Sequence, residues 1–451
     1  MKRTLPFEKE EFKALISLAI PILITQLFLV GMGATDVAIT GHFDTAVQAS
    51  VGLGVMIWNP LFLFGNGVLM SIAILSAHKF GAGKTDEVAT IWHNGLIIAA
   101  GLIVLVVLIM NFGVEWILNL VDADPKLIPG SVLYLRALSI GAPAILFFIS
   151  LRSVCEGVSK PLPITIVSGV GFVVNGLLNY VLVNGYAPLN IKSYGVWGSG
   201  LGTALTLWIM FLLLLAFTRV DPRLKSLNLM STKFRFTNIF GELAKIGFPN
   251  GATMFAEVAI FSAAGLILGR YAEKIVASHQ ISLQITSLTF MIPLSTAIAL
   301  TALVGQRMGR GDFPAAKQMG DTGRITIVGI MFLTSSLLFY ARNHLPMLFN
   351  NEAAVVALSA KLILYSIIFQ IPDGLQISAN GVLRGMKDTK VPMVLSVTSY
   401  WLVAFPLCYY LGVTREMAAE GVWIGLIIGL SCSALLLNSR LFILTRRLGA
   451  Q

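Results

Sequence analysis

The chain contains twelve apolar runs, each long enough to cross a membrane as an α-helix, because about 20 residues span the ~30 Å hydrocarbon core. Hydrophobic residues make up 56% of the sequence and charged residues only 12%, against about a quarter charged in soluble domains. The sequence therefore predicts an all-α integral membrane protein with twelve transmembrane helices. The predicted helices cover residues 15–39, 50–77, 89–111, 132–151, 162–184, 197–218, 243–269, 278–304, 322–341, 358–382, 391–412 and 421–444.

The basic residues are distributed unevenly between the segments that join these helices. If the N-terminus lies inside, the inner segments hold 24 of the 32 Lys and Arg residues and the outer loops hold 8. The inner loops of membrane proteins carry such an excess, so both termini are expected in the cytoplasm. The net charge of +10 does not indicate nucleic-acid binding, because the basic residues are scattered and form no dense patch.

The two halves of the chain are copies of one another. Alignment of AIPILITQ with GFPNGATM sets an offset of 228 positions, which holds without a gap for more than sixty residues. A repeat of this length reflects architecture rather than chance. The matched pairs are Pro21 and Pro249, Ala49 and Ala277, Gly81 and Gly309, Gly83 and Gly311 and, later in the chain, Gly157 and Gly385.

Each copy holds six predicted spans, so both copies enter the membrane in the same direction. The halves are therefore expected to form two six-helix lobes related by a pseudo-twofold axis along the membrane normal, as in transporters with parallel repeats. Residues 1–218 are predicted to form the N-terminal lobe and residues 243–451 the C-terminal lobe. The polar stretch 219–242 is predicted to be a cytoplasmic linker.

Three acidic residues, Asp36, Glu257 and Asp373, lie inside predicted spans and away from their ends. A carboxylate in hydrocarbon costs roughly 2.5 kcal/mol or more, so each must be neutral, paired or facing water. Each could be a structural carboxylate bonded to a neighbouring helix, but intramembrane acids more often mark ion or substrate paths. Glu257 and Asp373 belong to the same lobe and could share one cavity, whereas Asp36 belongs to the other.

Further polar residues occur in the N-terminal half. Asn175 and Asn179 lie on one face of the fifth span, and Thr203 lies in the sixth. A carboxylate surrounded by amide and hydroxyl oxygens suits a hard cation, although ordinary interhelical hydrogen bonding would also explain these residues. In the other half, Pro372 frees a backbone carbonyl directly before Asp373, which would help to bind an ion.

Motifs that would indicate an enzyme are weak. The stretch FGAGKTDE at residues 80–87 resembles a phosphate-binding loop but lacks its first glycine, and the counterpart MGRGDF lacks Lys-Thr. Asp122 and Asp124 form a pair that could hold a metal-bound diphosphate, but no second acidic motif accompanies them. Cysteine spacing gives neither a disulfide framework nor a zinc pattern. The sequence therefore predicts no enzyme.

The two six-helix lobes and the segments GATDVAITG, MFAEVAIF and FQIPDGLQISANGVLRGMKD resemble the multidrug and toxic compound extrusion (MATE) transporters, most closely their NorM-like branch. The resemblance covers essentially the whole chain. It implies export of lipophilic organic cations and drugs across a bacterial inner membrane in exchange for inward Na⁺ or H⁺, with no cofactor besides that ion. The implied partners are small-molecule cationic drugs and membrane lipids, without nucleic acid, and the implied state is a monomer.

The resemblance also assigns roles to individual residues. It implies that cation or proton coupling, with Na⁺ bound at one of the acids, involves Asp36, Asn175, Asn179, Thr203, Glu257 and Asp373. Two positions depart from the family and are expected in the substrate cleft or at a gate. Glu156 stands where NorM-like proteins can carry an aspartate, and Phe369 stands where a tyrosine can occur. Phe369 lacks the hydroxyl oxygen that a tyrosine could offer to a sodium ion, which weakens the interpretation that this site binds sodium alone.

The mechanism expected from this resemblance is alternating access, in which the lobes rock around a central cleft and cation binding displaces the drug. One alternative is flipping of a lipid-linked precursor, which would need a basic cavity, whereas the charges expected in mid-membrane are all acidic. An alternative of another class is an intramembrane prenyl-diphosphate transferase that uses Asp122 and Asp124. The sequence leaves open the coupling ion, its stoichiometry, the drugs carried, the lobe with the primary ion site and the resting conformation.

Overall fold

The computed structural model describes residues 7–120, 124–230 and 237–448. Asp122 and residues 231–236 of the expected linker lie outside these ranges. Within them the chain is helical, and its only β-structure is an isolated bridge between Tyr186 and Ile191. Eleven helices are long and apolar enough to cross a membrane, and one bent helix pair brings the number to twelve. The predicted all-α membrane fold is therefore confirmed.

We number the membrane-length helices in chain order, and every predicted span overlaps one of them. The helices are longer than the predicted spans because helical hydrogen bonding continues into polar ends that hydropathy does not detect. They are α1 (Lys9–Phe43), α2 (Thr45–Gly81), α3 (Asp86–Leu120), α4 (Ile128–Ser139 and Ala142–Gly157), α5 (Leu162–Asn184), α6 (Gly195–Val220), α7 (Ile239–Leu268), α8 (Glu273–Gly309), α9 (Phe313–Ala341), α10 (Ala353–Gly385), α11 (Lys390–Thr414) and α12 (Ala418–Leu448).

Two helices are interrupted at prolines. The two parts of α4 meet at an angle of 50° directly before Pro143, because a proline ring removes a backbone hydrogen bond and crowds the preceding turn. In α11, π-helical stretches cover Ser399–Ala404 and Tyr410–Thr414, on either side of Pro406. Such π turns often occur at functional sites, and Tyr400 from the first of them belongs to a buried polar group.

The described residues form two compact units. The first unit comprises Ile24–Gly251, and the second unit comprises Met1–Leu23 together with Ala252–Gln451, each within the described ranges. The unit boundaries fall inside α1 and α7 and not in the stretch between α6 and α7. That the N-terminal lobe ends at residue 218 and the C-terminal lobe begins at residue 243 stays a prediction.

Each unit has its own core. In the first unit, α2 packs against α3, α6 and both parts of α4, and one cluster of buried hydrophobic side chains fills the space between them. In the second unit, α10 packs against α8, α9 and α12. The start of α1 is joined to the second unit by an ion pair between Glu11 and Arg307 and by a hydrogen bond from the Glu8 amide to Thr322 Oγ1 (3.2 Å).

The internal repeat is visible in the packing of two glycines. A Cβ atom at Gly157 would lie 2.6 Å from the carbonyl oxygen of Ala73, and one at Gly385 would lie 2.9 Å from the carbonyl oxygen of Thr301. Ala73 and Thr301 are 228 positions apart, as are the two glycines. Both units therefore use the same helix crossing, α4 on α2 and α10 on α8, where a glycine allows close backbone approach.

The repeat is equally clear where α2 and α8 end. Gly83 and Gly311 both have a φ angle of +75°. Their amides close the same turn, because Gly83 donates to Phe80 and Gly311 donates to Met308, each at 3.1 Å. The stretch that resembles a phosphate-binding loop is therefore a helix C-terminal turn, which uses glycine for its left-handed backbone.

Substitution of either crossing glycine should destabilise the protein. We expect Gly157→Ala and Gly385→Ala to cost about 1–3 kcal/mol each, because the added methyl group overpacks the crossing. Gly101 in α3 is the matched control, because a Cβ atom there would meet nothing within 4 Å. Thermal unfolding of the detergent-solubilised variants should give lower midpoints at the two crossings than for Gly101→Ala. Equal midpoints for all three variants would contradict this account.

Candidate functional site

The predicted polar residues of the first unit form one hydrogen-bonded network around Asp36. Asp36 lies in α1 and is 7% exposed. Thr203 of α6 donates from Oγ1 to Asp36 Oδ2 at 2.9 Å. Because that hydroxyl proton points to Asp36, its oxygen is free to accept, and Asn175 and Asn179 of α5 donate to it from Nδ2 at 3.4 Å each. Side chains of α5 and α6 thus gather around the carboxylate of α1.

Three buried oxygens of this network lack a hydrogen-bond partner in the described part of the chain. They are Asp36 Oδ1, Asn175 Oδ1 and Asn179 Oδ1. Both asparagine side chains are fully buried, and a buried acceptor left unsatisfied costs about 1–3 kcal/mol. Carboxylate and amide oxygens are the ligands that a hard cation prefers, so a bound cation would satisfy all three oxygens. A bound proton would satisfy only the carboxylate oxygen.

Tyr134 is a further residue of this site that sequence reasoning missed. It lies in the first part of α4, is 2% exposed and interacts electrostatically with Asp36. Gly54 of α2 makes room for it, because a Cβ atom there would lie 2.5 Å from the Tyr134 ring. A single tyrosine in an apolar span carries no sequence signal of this role.

The second unit brings Glu257 and Asp373 close enough to interact electrostatically. Asp373 lies in α10 and is 3% exposed, whereas Glu257 of α7 is half-buried. Pro372 lies inside α10 directly before Asp373. The two carboxylates repel each other when both are ionised, so their environment must supply positive charge or protons.

Arg384 supplies positive charge to this group. It lies near the end of α10, is 6% exposed and interacts electrostatically with Glu257. Tyr400 of α11 is 1% exposed, interacts with both carboxylates and accepts a hydrogen bond from Gln376 Nε2 at 2.5 Å. Sequence reasoning assigned no role to Arg384 because it follows the predicted span 358–382 and was counted among the cytoplasmic basic residues.

Glu156 does not join the Asp36 network. It forms an ion pair with Arg152, with 2.7 Å between Glu156 Oε1 and Arg152 Nε, and the two side chains are 7% and 6% exposed. Arg152 also donates from Nη2 to Gln26 Oε1 at 3.2 Å. Arg152 and Arg384 are thus both basic and buried, and the expectation that the mid-membrane charges are all acidic stays a prediction. Arg152 forms an ion pair with Glu156, whereas Arg384 interacts electrostatically with Glu257.

Phe369 lies in an aromatic cluster, one helical turn before Asp373 in α10. It is 4% exposed, and its ring centroid lies 6.0 Å from that of Phe261 and 6.3 Å from that of Trp423, in edge-on contacts. Trp423 in turn donates from Nε1 to His279 Nδ1 at 3.2 Å. The roles expected for Phe369 and Glu156 at a cleft or gate stay predictions.

Two buried polar groups, one around Asp36 and one around Glu257 and Asp373, offer oxygen atoms as ligands. Across the described ranges, no cluster of three or more His, Cys, Asp or Glu side chains could hold a metal ion. Amide, hydroxyl and carboxylate oxygens suit hard cations, whereas imidazole and thiolate ligands would suit zinc or copper. The buried carboxylates are therefore suited to exchange protons or simple cations.

Membrane-length helices in two repeated units, with buried carboxylates on several of them, define a multi-pass membrane transporter. The family model MatE matches residues 21–181 and 249–410, and the two matches begin 228 residues apart. The chain belongs to the MatE family. It is a NorM-like transporter and not an enzyme, which excludes the prenyl-diphosphate transferase alternative.

Two relatives and one solved structure illustrate this similarity. The chain is 33% identical over 442 residues to "Probable multidrug resistance protein NorM" of Acinetobacter baylyi, with 98% of each chain covered. It is 33% identical over 444 residues to "Multidrug resistance protein NorM" of Vibrio vulnificus, with 97% of each chain covered. An outward-facing multidrug resistance transporter of the MATE family has the same fold, with a TM-score of 0.88 at 16% identity over 98% of this chain and 97% of that one.

The effects of substituting Arg152 and Glu156 on the free energy of unfolding should be strongly non-additive. We expect Arg152→Gln to destabilise the protein by about 3–5 kcal/mol, because Glu156 would stay buried without its counter-charge. The double variant Arg152→Gln/Glu156→Gln should regain most of this loss, as measured by a double-mutant cycle on thermal unfolding.

The matched control is the pair of Lys274 and Glu352, whose side chains are 60% and 47% exposed. Its removal by Lys274→Gln should cost about 1 kcal/mol or less, because solvent screens exposed pairs. Additive losses at Arg152 and Glu156 would contradict the assignment of a coupled buried pair.

Proposed function

We propose that this protein is a multidrug efflux antiporter of a bacterial inner membrane, which exchanges inward Na⁺ or H⁺ for outward lipophilic organic cations. The Asp36 network carries this proposal, because it buries a carboxylate oxygen and two amide oxygens that lack donors inside a membrane protein. The names of the NorM relatives, which are multidrug resistance proteins, support drug export.

Competition for the same carboxylates explains why the exchange is an antiport. A carboxylate that has bound a proton or Na⁺ is neutralised and no longer attracts an organic cation. Binding of the coupling ion from outside therefore releases the drug, and binding of a drug from inside releases the ion. Aromatic side chains such as Phe369, one turn from Asp373, favour lipophilic cations through apolar contact and cation–π attraction.

The energy of one coupling ion is sufficient for this task. A monovalent drug that leaves in exchange for one monovalent ion moves no net charge across the membrane, so the concentration gradient of the coupling ion supplies the energy. A tenfold gradient of that ion releases about 1.4 kcal/mol, which supports about tenfold accumulation of the drug on the outside. Alternating access, in which the protein opens to the two sides of the membrane in turn, is the conformational cycle that we propose.

The proposal includes orientation and assembly. The placement of 24 of the 32 basic residues in the inner segments supports cytoplasmic termini. One chain carries both carboxylate groups, which supports a monomer that works among membrane lipids. Flipping of a lipid-linked diphosphate has less support, because the buried guanidinium groups of Arg152 and Arg384 are matched by Glu156 and Glu257.

Removal of the buried carboxylates should abolish export. We expect Asp36→Asn, Glu257→Gln and Asp373→Asn to reduce efflux of a cationic dye by about tenfold, because loss of the coupling ion removes a driving gradient worth about 1.4 kcal/mol for each tenfold ratio. The assay is dye accumulation in cells that lack their own efflux pumps. Glu273→Gln, which changes an exposed acid at the start of α8, should transport normally. Normal transport by all three buried-acid variants would contradict the mechanism.

The coupling ion should be identified with imposed gradients. In proteoliposomes, we expect a Na⁺ gradient alone or a proton gradient alone to drive uptake of the dye, and Asp36→Asn to remove that uptake. The membrane potential should be clamped, so that each gradient acts by itself. Uptake that is independent of both gradients would refute cation coupling.

A further inference from the structure

A cavity of about 640 Å³ lies in the second unit between α9, the end of α10 and α12. It is separate from the group around Glu257 and Asp373, none of whose members line it. The ends of α10 and α12 and the start of α9 adjoin segments that the distribution of basic residues places in the cytoplasm. The cavity is therefore expected at the level of the cytoplasmic headgroups.

The walls of this cavity carry an excess of positive charge. Lys317, Arg324 and Arg446 line it, and Asp321 is the only acid among the described residues that line it. Lys317 Nζ lies 2.9 Å from Asp321 Oδ2, whereas Arg324 Nη1 lies 4.0 Å from Asp321 Oδ1. Arg446 stacks on the ring of Phe442 and has no carboxylate partner within the described ranges. The one acid thus pairs with two of the three cations and leaves Arg446 without a counter-charge in the part of the chain that the structure describes.

Arg324 is held in place yet retains a free donor. Its Nη2 donates to Asn438 Oδ1 at 2.5 Å, and Asn438 in turn donates from Nδ2 to the carbonyl oxygens of Leu375 and Ala434. The buried Nε of Arg324 has no hydrogen-bond partner in the described part of the chain. A fixed guanidinium group with an unsatisfied donor suits an anion with several acceptor oxygens.

An apolar strip leads away from these cations. Leu435 and Phe442 of α12 line the cavity, are 71% and 55% exposed, and lie seven residues apart on one helical face. Val382 and Met386 of α10 extend the apolar wall. A ligand that suits both parts of the cavity has an anionic head and an apolar tail.

The repeat shows that these cations are particular to the second unit. At the offset of 228 positions, Lys317 corresponds to Ala89 and Arg324 to Leu96. Asp321 corresponds to His93, whose Nε2 lies 2.8 Å from the carbonyl oxygen of Leu229. In the first unit this face of α3 is covered by the segment after α6, whose side chains Leu224, Leu227 and Leu229 are 1–3% exposed.

We propose that this cavity binds the phosphate headgroup of an anionic phospholipid from the cytoplasmic leaflet, with its acyl chains along Leu435 and Phe442. Basic pockets between membrane helices on the cytoplasmic side recognise such headgroups. The phosphate oxygens compensate the charge of Lys317, Arg324 and Arg446. This site is independent of the transport mechanism.

The test is lipid binding by the full-length protein in detergent, measured by native mass spectrometry with dioleoyl phosphatidylglycerol. We expect tighter binding of this lipid than of dioleoyl phosphatidylcholine. Lys317→Gln and Arg324→Gln should each weaken binding about fivefold, because a basic residue near the headgroups contributes about 1 kcal/mol. Asp321→Asn should instead strengthen it about fivefold, because the competing carboxylate is removed.

The matched control is Arg310→Gln, which removes an exposed cation from the loop between α8 and α9, outside the cavity. It should change binding less than twofold. Equal binding of the two lipids, or an equal loss in Arg310→Gln, would overturn the proposal. Equally tight binding of sn-glycerol 3-phosphate would also overturn it, because the site would then recognise a free phosphate. Lys317 is largely exposed, so its substitution tests the site without threatening the fold.

Discussion

The cost of burying a charge in a membrane governs the arrangement of the ionisable groups in this protein. Asp36 is stabilised by neutral donors, because Thr203 donates to it and the two asparagines donate to Thr203. Glu156 is stabilised by a full counter-charge at 2.7 Å. Neutral donors leave the Asp36 carboxylate able to take up a cation or a proton. The ion pair with Arg152 already neutralises the Glu156 carboxylate within the protein. Burial alone therefore does not leave a carboxylate free to bind a cation, because its hydrogen-bond and ion-pair partners decide.

The internal repeat explains why the two units share their helix packing, and the sequence differences between the two copies explain their different polar sites. The glycines at the helix crossings, and those that end α2 and α8, have the same geometry in both units, because packing and backbone conformation restrict them. The polar residues do not repeat: Arg384 of the second unit occupies the position of Glu156 in the first. The same backbone thus holds a carboxylate paired with Arg152 in one unit and a guanidinium beside Glu257 in the other.

The features that could be predicted from the sequence are those set by local composition. Spans of about 20 apolar residues follow from hydrocarbon thickness, and Asn175, Asn179 and Thr203 stand out because polar residues are rare in such spans. Arg384 could not be assigned, because helical hydrogen bonding carries α10 beyond the apolar window to Gly385. Tyr134 and Tyr400 depend on tertiary packing, for which periodicity gives no signal. The pairing of Arg152 with Glu156 was readable from their i,i+4 spacing.

Under the proposed exchange, charge balance sets how much coupling charge each unit would take up. In the first unit the Arg152–Glu156 pair is neutral, so Asp36 leaves one uncompensated negative charge when it is ionised. In the second unit Glu257 and Asp373 provide two negative charges and Arg384 one positive charge, which again leaves one. A single monovalent cation or proton neutralises either group, and a second would create a buried positive charge at a cost of several kcal/mol. If these groups bind the coupling ion, as we propose, Arg384 limits the second unit to one coupling charge despite its two carboxylates, and a monovalent organic cation would match this charge.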